Sequence, residues 1–355
     1  VMRWEMRPRL FLRTAEFLWQ EGHTAHESKD EAMEEVFKIL RVYETFAREH
    51  LAVPVITGEK TENERFPGAE LTVCIEAMVQ DRKAIQAGTS HYLGQNFSKA
   101  SGIEFATREG GKEHAYTTSW GVSTRLIGTV IMAHADDDGV IVPPRVAPQQ
   151  VVILPVTPKE ETKQAVLDAC DALAEKLAGC SYAGEPVRVE VDKRDMGSGS
   201  KGWEWIKKGA PVRVEIGPRD LAEGKVALMR RTKGAKEKEF VESAWVEENI
   251  GEVLADVQDT LLARATAFRD ENTKKIDSLE EFEAFFTPQN AKKPEIHGGF
   301  ALCHWAGSNE DEERIAKEHK VTIRCIPDGD QYAEEGVCFL TGEASSRRVV
   351  FAKSY

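Results

Sequence analysis

"RWEMRPRLFLRTAEFLWQEGHTAH", residues 3–26, packs four arginines, two tryptophans, three glutamates and two histidines into 24 positions. That much charge excludes a strand buried on both faces, because an unpaired buried charge is costly. The Trp, Phe and Leu between the charges argue equally against an ordinary solvated face. Residues 1–20 read as two extended segments joined by a basic turn at "RPRL". Arg3 and Glu5 are two apart and share a strand face, and Arg13 returns on the second segment. Two guanidiniums at one end of a strand pair suit a polyphosphate, since Arg offers forked donors and stays charged. Phe11 beside them can stack on a base. Trp19, Glu21 and His23 alternate and so share a second face. An aromatic wall with a carboxylate and an imidazole suits a small ligand with an ammonium group and an apolar body. A strand pair with merely solvated arginines explains the stretch equally well.

Beyond it, Ser28 opens "SKDE", an S-x-x-E capping box. The helix that follows aligns Val36, Leu40, Tyr43 and Ala47 on one stripe. Residues 53–57, 71–78 and 83–86 are expected as short strands. "TTSWGVSTRLIGTVIMAH" (117–134) starts polar and turns apolar at helical spacing, so a strand end feeds a helix there. The prolines of "GVIVPPRVAPQQ" (139–150) close that unit, because they cannot join a central ladder. From 151 onward strands (151–156, 187–191, 211–217, 225–230) alternate with helices (159–178, 203–209, and a long one over 245–270). This pattern predicts a compact α/β domain. The tail mixes helix with "GGFALCHW", "VTIRCIP" and "RRVVFAKSY".

A chain of 355 residues, 41% hydrophobic and 30% charged, fits a globular protein of two or three domains. No apolar run reaches the roughly 18 residues of a membrane span, and the first residues lack a signal-peptide core. Six scattered cysteines without a CxxC fit reduced thiols rather than a disulfide scaffold. A cytoplasmic location is therefore expected. The net charge of -13 argues against nonspecific nucleic-acid binding by the whole surface. Residues 201–240, however, carry 11 Lys and Arg against 6 Asp and Glu, so one basic face can hold a polyanion.

Two further clusters carry chemistry. In "AIQAGTSHYLGQNF" (84–97), Gln86, Thr89 and His91 are polar groups in a strand and turn, and Gly88 leaves room for a ligand at the backbone. A polar hairpin accounts for them too. Arg125 stands at a helix start, where a cation opposes the helix dipole, so an anionic or aromatic partner is expected. "HADDDG" (134–139) has the carboxylates of a cation loop, though a solvated turn fits better.

Together these clusters resemble a class II aminoacyl-tRNA synthetase, and in particular the prolyl-tRNA synthetase family of the archaeal/eukaryotic-like type. "RWE…FLRT…EFLWQEGHTAH" is similar to that family's motif 2. "GEKTENERFPGA", "IQAGTSHYLGQNF" and "TSWGVSTRLIG…PPRVAP" resemble its later catalytic segments and motif 3. "GAPVRVEIGPRDL" resembles its anticodon-binding domain, and "RVVFAKSY" its C-terminal end. The resemblance implies a mixed α/β protein in three parts. These are a partial antiparallel-sheet catalytic domain (1–149), an α/β anticodon-binding domain with a connecting helix (150–270), and a small α+β C-terminal domain (271–355). It implies ATP-dependent ligation of L-proline to tRNA(Pro) through prolyl-adenylate, with ATP bound as its magnesium complex, in a homodimer. Arg3 would grip the α-phosphate and the amino-acid carboxylate. Glu5 and Arg13 would belong to the ATP site, with adenine between Phe11 and Arg125, and Gln86, Thr89 and Ser123 lining it. Proline would sit among Trp19, Glu21, His23, Phe66, His91 and Ser119. Arg213, Arg219, Asp220 and Lys236 would read the anticodon, with Trp203 and Trp205 either stacking on it or lying in the core.

The chain also departs from the family pattern. Motif 1 and the Thr-x-Glu loop that holds the imino nitrogen have no match, so upstream residues are expected to be missing and the segment inactive by itself. About 90 residues separate motifs 2 and 3, too few for the bacterial-type editing insertion, so no cis-editing is expected. Ile206 stands where the family often has an acid. Of the four zinc cysteines of many relatives, the first pair falls near Trp305 and Glu310; Cys338 matches one of the second pair and Thr341 replaces the other. No zinc is expected, short of a regrouping of Cys303, His304, Cys325 and Cys338. The Tyr355 end is expected to reach toward the catalytic domain. The alternative is a catalytically silent, synthetase-like protein that binds tRNA or a regulator. Arg3, Arg13, Arg125, Trp19 and His23 together favour the enzyme, because a binding module has no use for an ATP site.

Overall fold

The computed structural model describes residues 1–157, 159–234, 237–288, 290 and 298–355. The chain forms two compact units. One comprises Val1–Arg48, Val53–Ala133 and Thr266–Tyr355, the other Glu49–Ala52 and His134–Ala265.

The first unit opens with the expected extended pair. The Arg3 N–H donates to the Ala15 carbonyl at 2.7 Å, and Arg9 and Arg13 exchange backbone bonds of 2.6 and 2.9 Å. Phe11 sits at the tip in the left-handed region (φ 58). The chain then enters β1 (Trp19–His26) and α1 (Lys29–Thr45). The Ser28 hydroxyl caps the helix by accepting the Glu31 N–H at 3.2 Å. Val36, Leu40, Tyr43 and Ala47 are all buried, as their spacing requires. Next come β2 (Val55–Glu59), β3 (Leu71–Met78) and β4 (Ala84–Gly94). β4 continues well past the expected 83–86. It is paired on both sides, by β3 and by a later strand, so the ladder holds Gly88–Tyr92 extended although their composition suggests a turn. After α2 (Asn96–Ser101) and the hairpin β5 (Glu104–Ala106) and β6 (Lys112–His114), β7 (Tyr116–Ser123) feeds α3 (Arg125–His134).

The second unit carries β8 (Val151–Pro155), α4 (Glu160–Ala178), β9 (Ser181–Tyr182), β10 (Glu185–Pro186), β11 (Val189–Val191), α5 (Ser198–Lys207), β12 (Val212–Ile216), α6 (Pro218–Glu223), β13 (Lys225–Arg230) and β14 (Glu239–Glu242). Its sheet runs β11-β8-β12-β13-β14, parallel across the first three strands and antiparallel thereafter. Val151, Ile153, Val212, Val214 and Leu228 pack against Leu173 and Leu177 of α4 and Ile250 and Leu254 of the long helix α7 (Ser243–Glu271). Val152 and Leu154 face the other way, onto Trp205 of α5. Cover on both faces explains the unbroken apolar run of β8.

The tail returns to the first unit as β15 (Thr273–Lys275), α8 (Leu279–Phe286), β16 (Phe300–His304), α9 (Asn309–His319), β17 (Thr322–Pro327), β18 (Ala333–Val337) and β19 (Ala344–Ala352). Its strands extend the N-terminal sheet into one of ten strands, ordered β1-β7-β4-β3-β2-β17-β19-β16-β15, with β18 on β19. The junction pairs Ile326 with Glu59. A buried triad clamps it. Glu76 of β3 accepts from Lys60 at 2.7 Å and from Arg324 of β17 at 3.2 and 3.1 Å. Burial works to raise the Glu76 pKa, but the two cations outweigh it and hold the carboxylate below its usual range.

Candidate active site

Strand register builds the site. In β1–β7, Trp19 lies opposite Ser123, Glu21 opposite Gly121 and His23 opposite Ser119. In β4–β7, Thr89 lies opposite Gly121 and His91 opposite Ser119. Because residues two apart share a face, all these side chains project from one side of the sheet. Above it lies a cleft of about 230 Å³. Trp19, Glu21, Phe66, Gln86, Thr89, His91, Ser119, Ser123 and Arg125 all line it, together with Phe17, Trp120 and backbone of β4 and β7. Arg3, Glu5, Phe11, Arg13 and His23 are not part of that lining.

Arg125 closes one end. Its Nε donates to the Leu12 carbonyl at 3.0 Å and its Nη1 to the Gln86 carbonyl at 3.3 Å. The Ser123 hydroxyl accepts the Arg125 N–H at 3.3 Å. The partners that offset the helix dipole are therefore carbonyl oxygens rather than an anion. Burial, reinforced by the positive field of Arg3 and Arg13, lowers the Arg125 pKa. Arg3 reaches the cleft rim by lying over the Phe17 ring at 5.3 Å, and Phe17 meets Trp19 edge-on at 6.0 Å. Arg13 holds Glu5 at 2.7 Å, and this bond is the chief reason that the Glu5 pKa is lowered. Phe11 instead packs its Cβ toward Gly128 of α3. His23 contacts Glu21 at 3.1 Å.

At the opposite end the loop between β2 and β3 brings Phe66 onto His91, with ring centroids 4.9 Å apart. Burial depresses the His91 pKa to about 4, so its imidazole is neutral at pH 7. The loop is anchored outside by α9: Thr61 donates to Glu312 at 2.8 Å and the Asn63 amide to the Asn309 carbonyl at 2.9 Å. Gly88 lines the cleft with its backbone, and a Cβ there would press on Val122 and Tyr43. Gly22 leaves the space that the Trp120 ring fills. Phe17 could have been found from the sequence, since it continues the alternation of Trp19 and Glu21. Trp120 had no such signal, because its role arises from its cross-strand neighbour Gly22.

The remaining sequence-derived residues lie apart. Arg213 is 3% exposed beneath α5 and donates to the Gly202 carbonyl at 3.4 Å. It does not reach the surface where a base could be read, because its strand face is covered by the helix. Arg219 is exposed. The Asp220 carboxylate accepts the Gly217 N–H at 2.9 Å and caps α6. Lys236 lies outside the described residues. Trp205 is core, with its indole N–H donated to Asp192 at 2.9 Å, whereas Trp203 is exposed. In "HADDDG" Asp136 is neither a ligand nor merely solvated: Arg231 grips it with bonds of 2.6 and 2.5 Å. Cys325 packs with Cys74 while Cys303 lies in a separate core. Among the described residues no group of three or more His, Cys, Asp or Glu could hold a metal ion. All six cysteines are free thiols. No helix among the described residues is long and apolar enough to cross a membrane. The Tyr355 ring lies under Lys83 and Arg9 at 4.4 and 5.0 Å, and its hydroxyl bonds Asp81. The C-terminus thus packs beside Arg9, near the tip of the arginine hairpin.

The chain matches three protein families in succession. They are the tRNA synthetase class II core domain (G, H, P, S and T) over residues 2–134, the anticodon binding domain over 150–248, and the prolyl-tRNA synthetase C-terminal domain over 291–355. It is 56% identical to the proline–tRNA ligase of Akkermansia muciniphila over 356 residues, covering 100% of this chain and 69% of that protein. It is 55% identical to proline–tRNA ligase 2 of Anaeromyxobacter dehalogenans over 359 residues, covering 100% and 70%. The proline–tRNA ligase of Protochlamydia amoebophila is 51% identical over 356 residues, with 100% and 70% covered.

Proposed function

This chain belongs to the proline–tRNA ligase family of class II aminoacyl-tRNA synthetases, and we propose that the cleft on β1, β4 and β7 is where it activates L-proline with ATP. The activity is ATP-dependent ligation of L-proline to tRNA(Pro). The proline carboxylate attacks the α-phosphorus of magnesium-bound ATP, and pyrophosphate leaves. A hydroxyl of the terminal tRNA ribose then takes the prolyl group. No side chain needs to act as nucleophile. The work is alignment of reactants and stabilisation of charge at the five-coordinate phosphorus.

In this reading Arg3 and Arg125 are the catalytic residues, Arg3 gripping the α-phosphate and the proline carboxylate and Arg125 stacking on adenine. Glu5, Phe11, Arg13, Gln86, Thr89 and Ser123 complete the ATP site, and Trp19, Glu21, His23, Phe66, His91 and Ser119 surround proline. The carrying observation is the cross-strand register that sets Trp19, Glu21, His91 and Ser119 beside Thr89, Ser123 and Arg125 in one cleft. An aromatic face with a carboxylate fits a cyclic ammonium. A buried guanidinium at the other end offers a flat cation for an adenine ring to stack on. Magnesium arrives with the nucleotide.

We further propose a cytoplasmic homodimer, divided near residues 150 and 270, that lacks cis-editing. The span from 26 to 119 is taken up by α1, β2–β4, α2, the β5–β6 hairpin and the start of β7, which supports that reading. Arg219 is the exposed candidate for anticodon contact. Proline-dependent ATP–pyrophosphate exchange by the full-length protein tests the assignment. Exchange driven by serine or threonine instead would remove proline from the cleft, and normal exchange by Arg3→Ala would remove Arg3 from the phosphate.

A further inference from the structure

Thr72 of β3 lies directly opposite His91 of β4 and is 2% exposed. Two polar contacts meet at its hydroxyl. The Phe66 N–H donates to Thr72 Oγ1 at 3.2 Å, and Oγ1 lies 2.9 Å from His91 Nδ1. A hydroxyl has one proton and two lone pairs. One lone pair takes the Phe66 proton. The hydroxyl's own proton, in so buried a place, needs an acceptor, and His91 Nδ1 is the one at hand. The imidazole is neutral, so it carries a single ring proton, which must then sit on Nε2. Nδ1 is turned to Thr72 and Phe66 covers the ring face at 4.9 Å, which leaves the Nε2 edge of this cleft-lining residue for the cleft.

We infer that Thr72 is a positioning residue of the amino-acid site: one hydroxyl fixes both the Phe66 loop and the His91 tautomer, so that the cleft is offered an N–H donor. Such a donor suits a carboxylate or acyl oxygen of the amino acid. The inference deepens the proline reading and rests on it. The same residue also pins the start of the loop, since the Lys60 N–H donates to the Thr72 carbonyl at 2.8 Å.

The test is a mutant cycle in the full-length protein, read as proline-dependent ATP–pyrophosphate exchange. Thr72→Val keeps the shape and removes the hydroxyl. It should raise the proline KM about 5- to 10-fold, the effect of losing roughly one hydrogen bond, with kcat and the ATP KM within about twofold. Thr72→Ser should restore the proline KM. In a His91→Gln background, where a fixed amide replaces the tautomer, Thr72→Val should add about half of that effect or less, because only the Phe66 anchor is left to lose. An unchanged proline KM in Thr72→Val, full additivity with His91→Gln, or an equal rise in the ATP KM overturns the inference. If Thr72→Val does not fold, Thr72→Ser decides alone: a proline KM more than about threefold above wild type counts against it. Absence of proline-dependent exchange in the wild type would instead overturn the proline reading itself.

Discussion

Arg13 and Arg125 present the same guanidinium near the same cleft, yet they are held in opposite ways. Arg13 belongs to the N-terminal hairpin, its side chain is 52% exposed, and its partner is the Glu5 carboxylate. Arg125 belongs to the sheet wall and is tied to the backbone carbonyls of Leu12 and Gln86. Arg13 is half in solvent although the Glu5 side chain is only 9% exposed, so the guanidinium can re-aim from Glu5 to a phosphate without moving main chain. Two carbonyls fixed in a strand and a turn cannot be exchanged without moving main chain. The wall is preorganised, whereas the Arg13 side chain on the hairpin is free to turn toward what it binds.

The largest test of this contrast is thermodynamic. Glu76→Gln leaves Lys60 and Arg324 buried beneath the wall without their counter-charge, and it should cost about 3–5 kcal/mol in denaturant unfolding. Glu5→Gln in the hairpin should cost about 1 kcal/mol or less, since its partner Arg13 is half in solvent. Equal effects would erase the distinction. Next in size is geometry at the nucleotide end. Arg125→Lys loses the fork that spans two carbonyls and should slow exchange by about 100- to 1000-fold. Arg13→Lys keeps a mobile charge and should stay within about tenfold of wild type. The smallest effect concerns pH. His91 has its pKa lowered from 6.5 to about 4 by burial, so between those values the unfolded chain binds more protons than the folded one. Stability should fall as pH drops through that window, by at most about 1.4 kcal/mol per unit. His91→Gln should flatten that slope, whereas hairpin substitutions should not touch it. A slope unaltered in His91→Gln would mean that this imidazole is not the buried neutral group of the wall.

Much of the site was legible because alternation survives in the linear text. Trp19, Glu21 and His23 share a face by spacing alone, and Ser119, Ser123 and Arg125 follow from a strand that feeds a helix. Arg213 shows where the reading fails. On a strand a basic residue looks available to a base, but α5 covers that face, and nothing in "PVRVEIG" announces the helix above it. Gly88 adds a demand that the sequence does not show: Val122 and Tyr43 occupy the space a Cβ there would need. "HADDDG" reads as solvent-facing until Arg231, 95 residues away, closes on it.

By itself the sequence determined the local periods, the capping Ser28, the order of strands and helices and the family resemblance, because each of these depends on neighbours along the chain. The tertiary structure alone decided that the tail's strands complete the N-terminal sheet, that Glu76 is clamped between Lys60 and Arg324, and that Thr72 faces His91. Those are pairings across hydrogen-bonded strands. Their register is fixed by the burial of whole faces, which no short stretch of residues encodes.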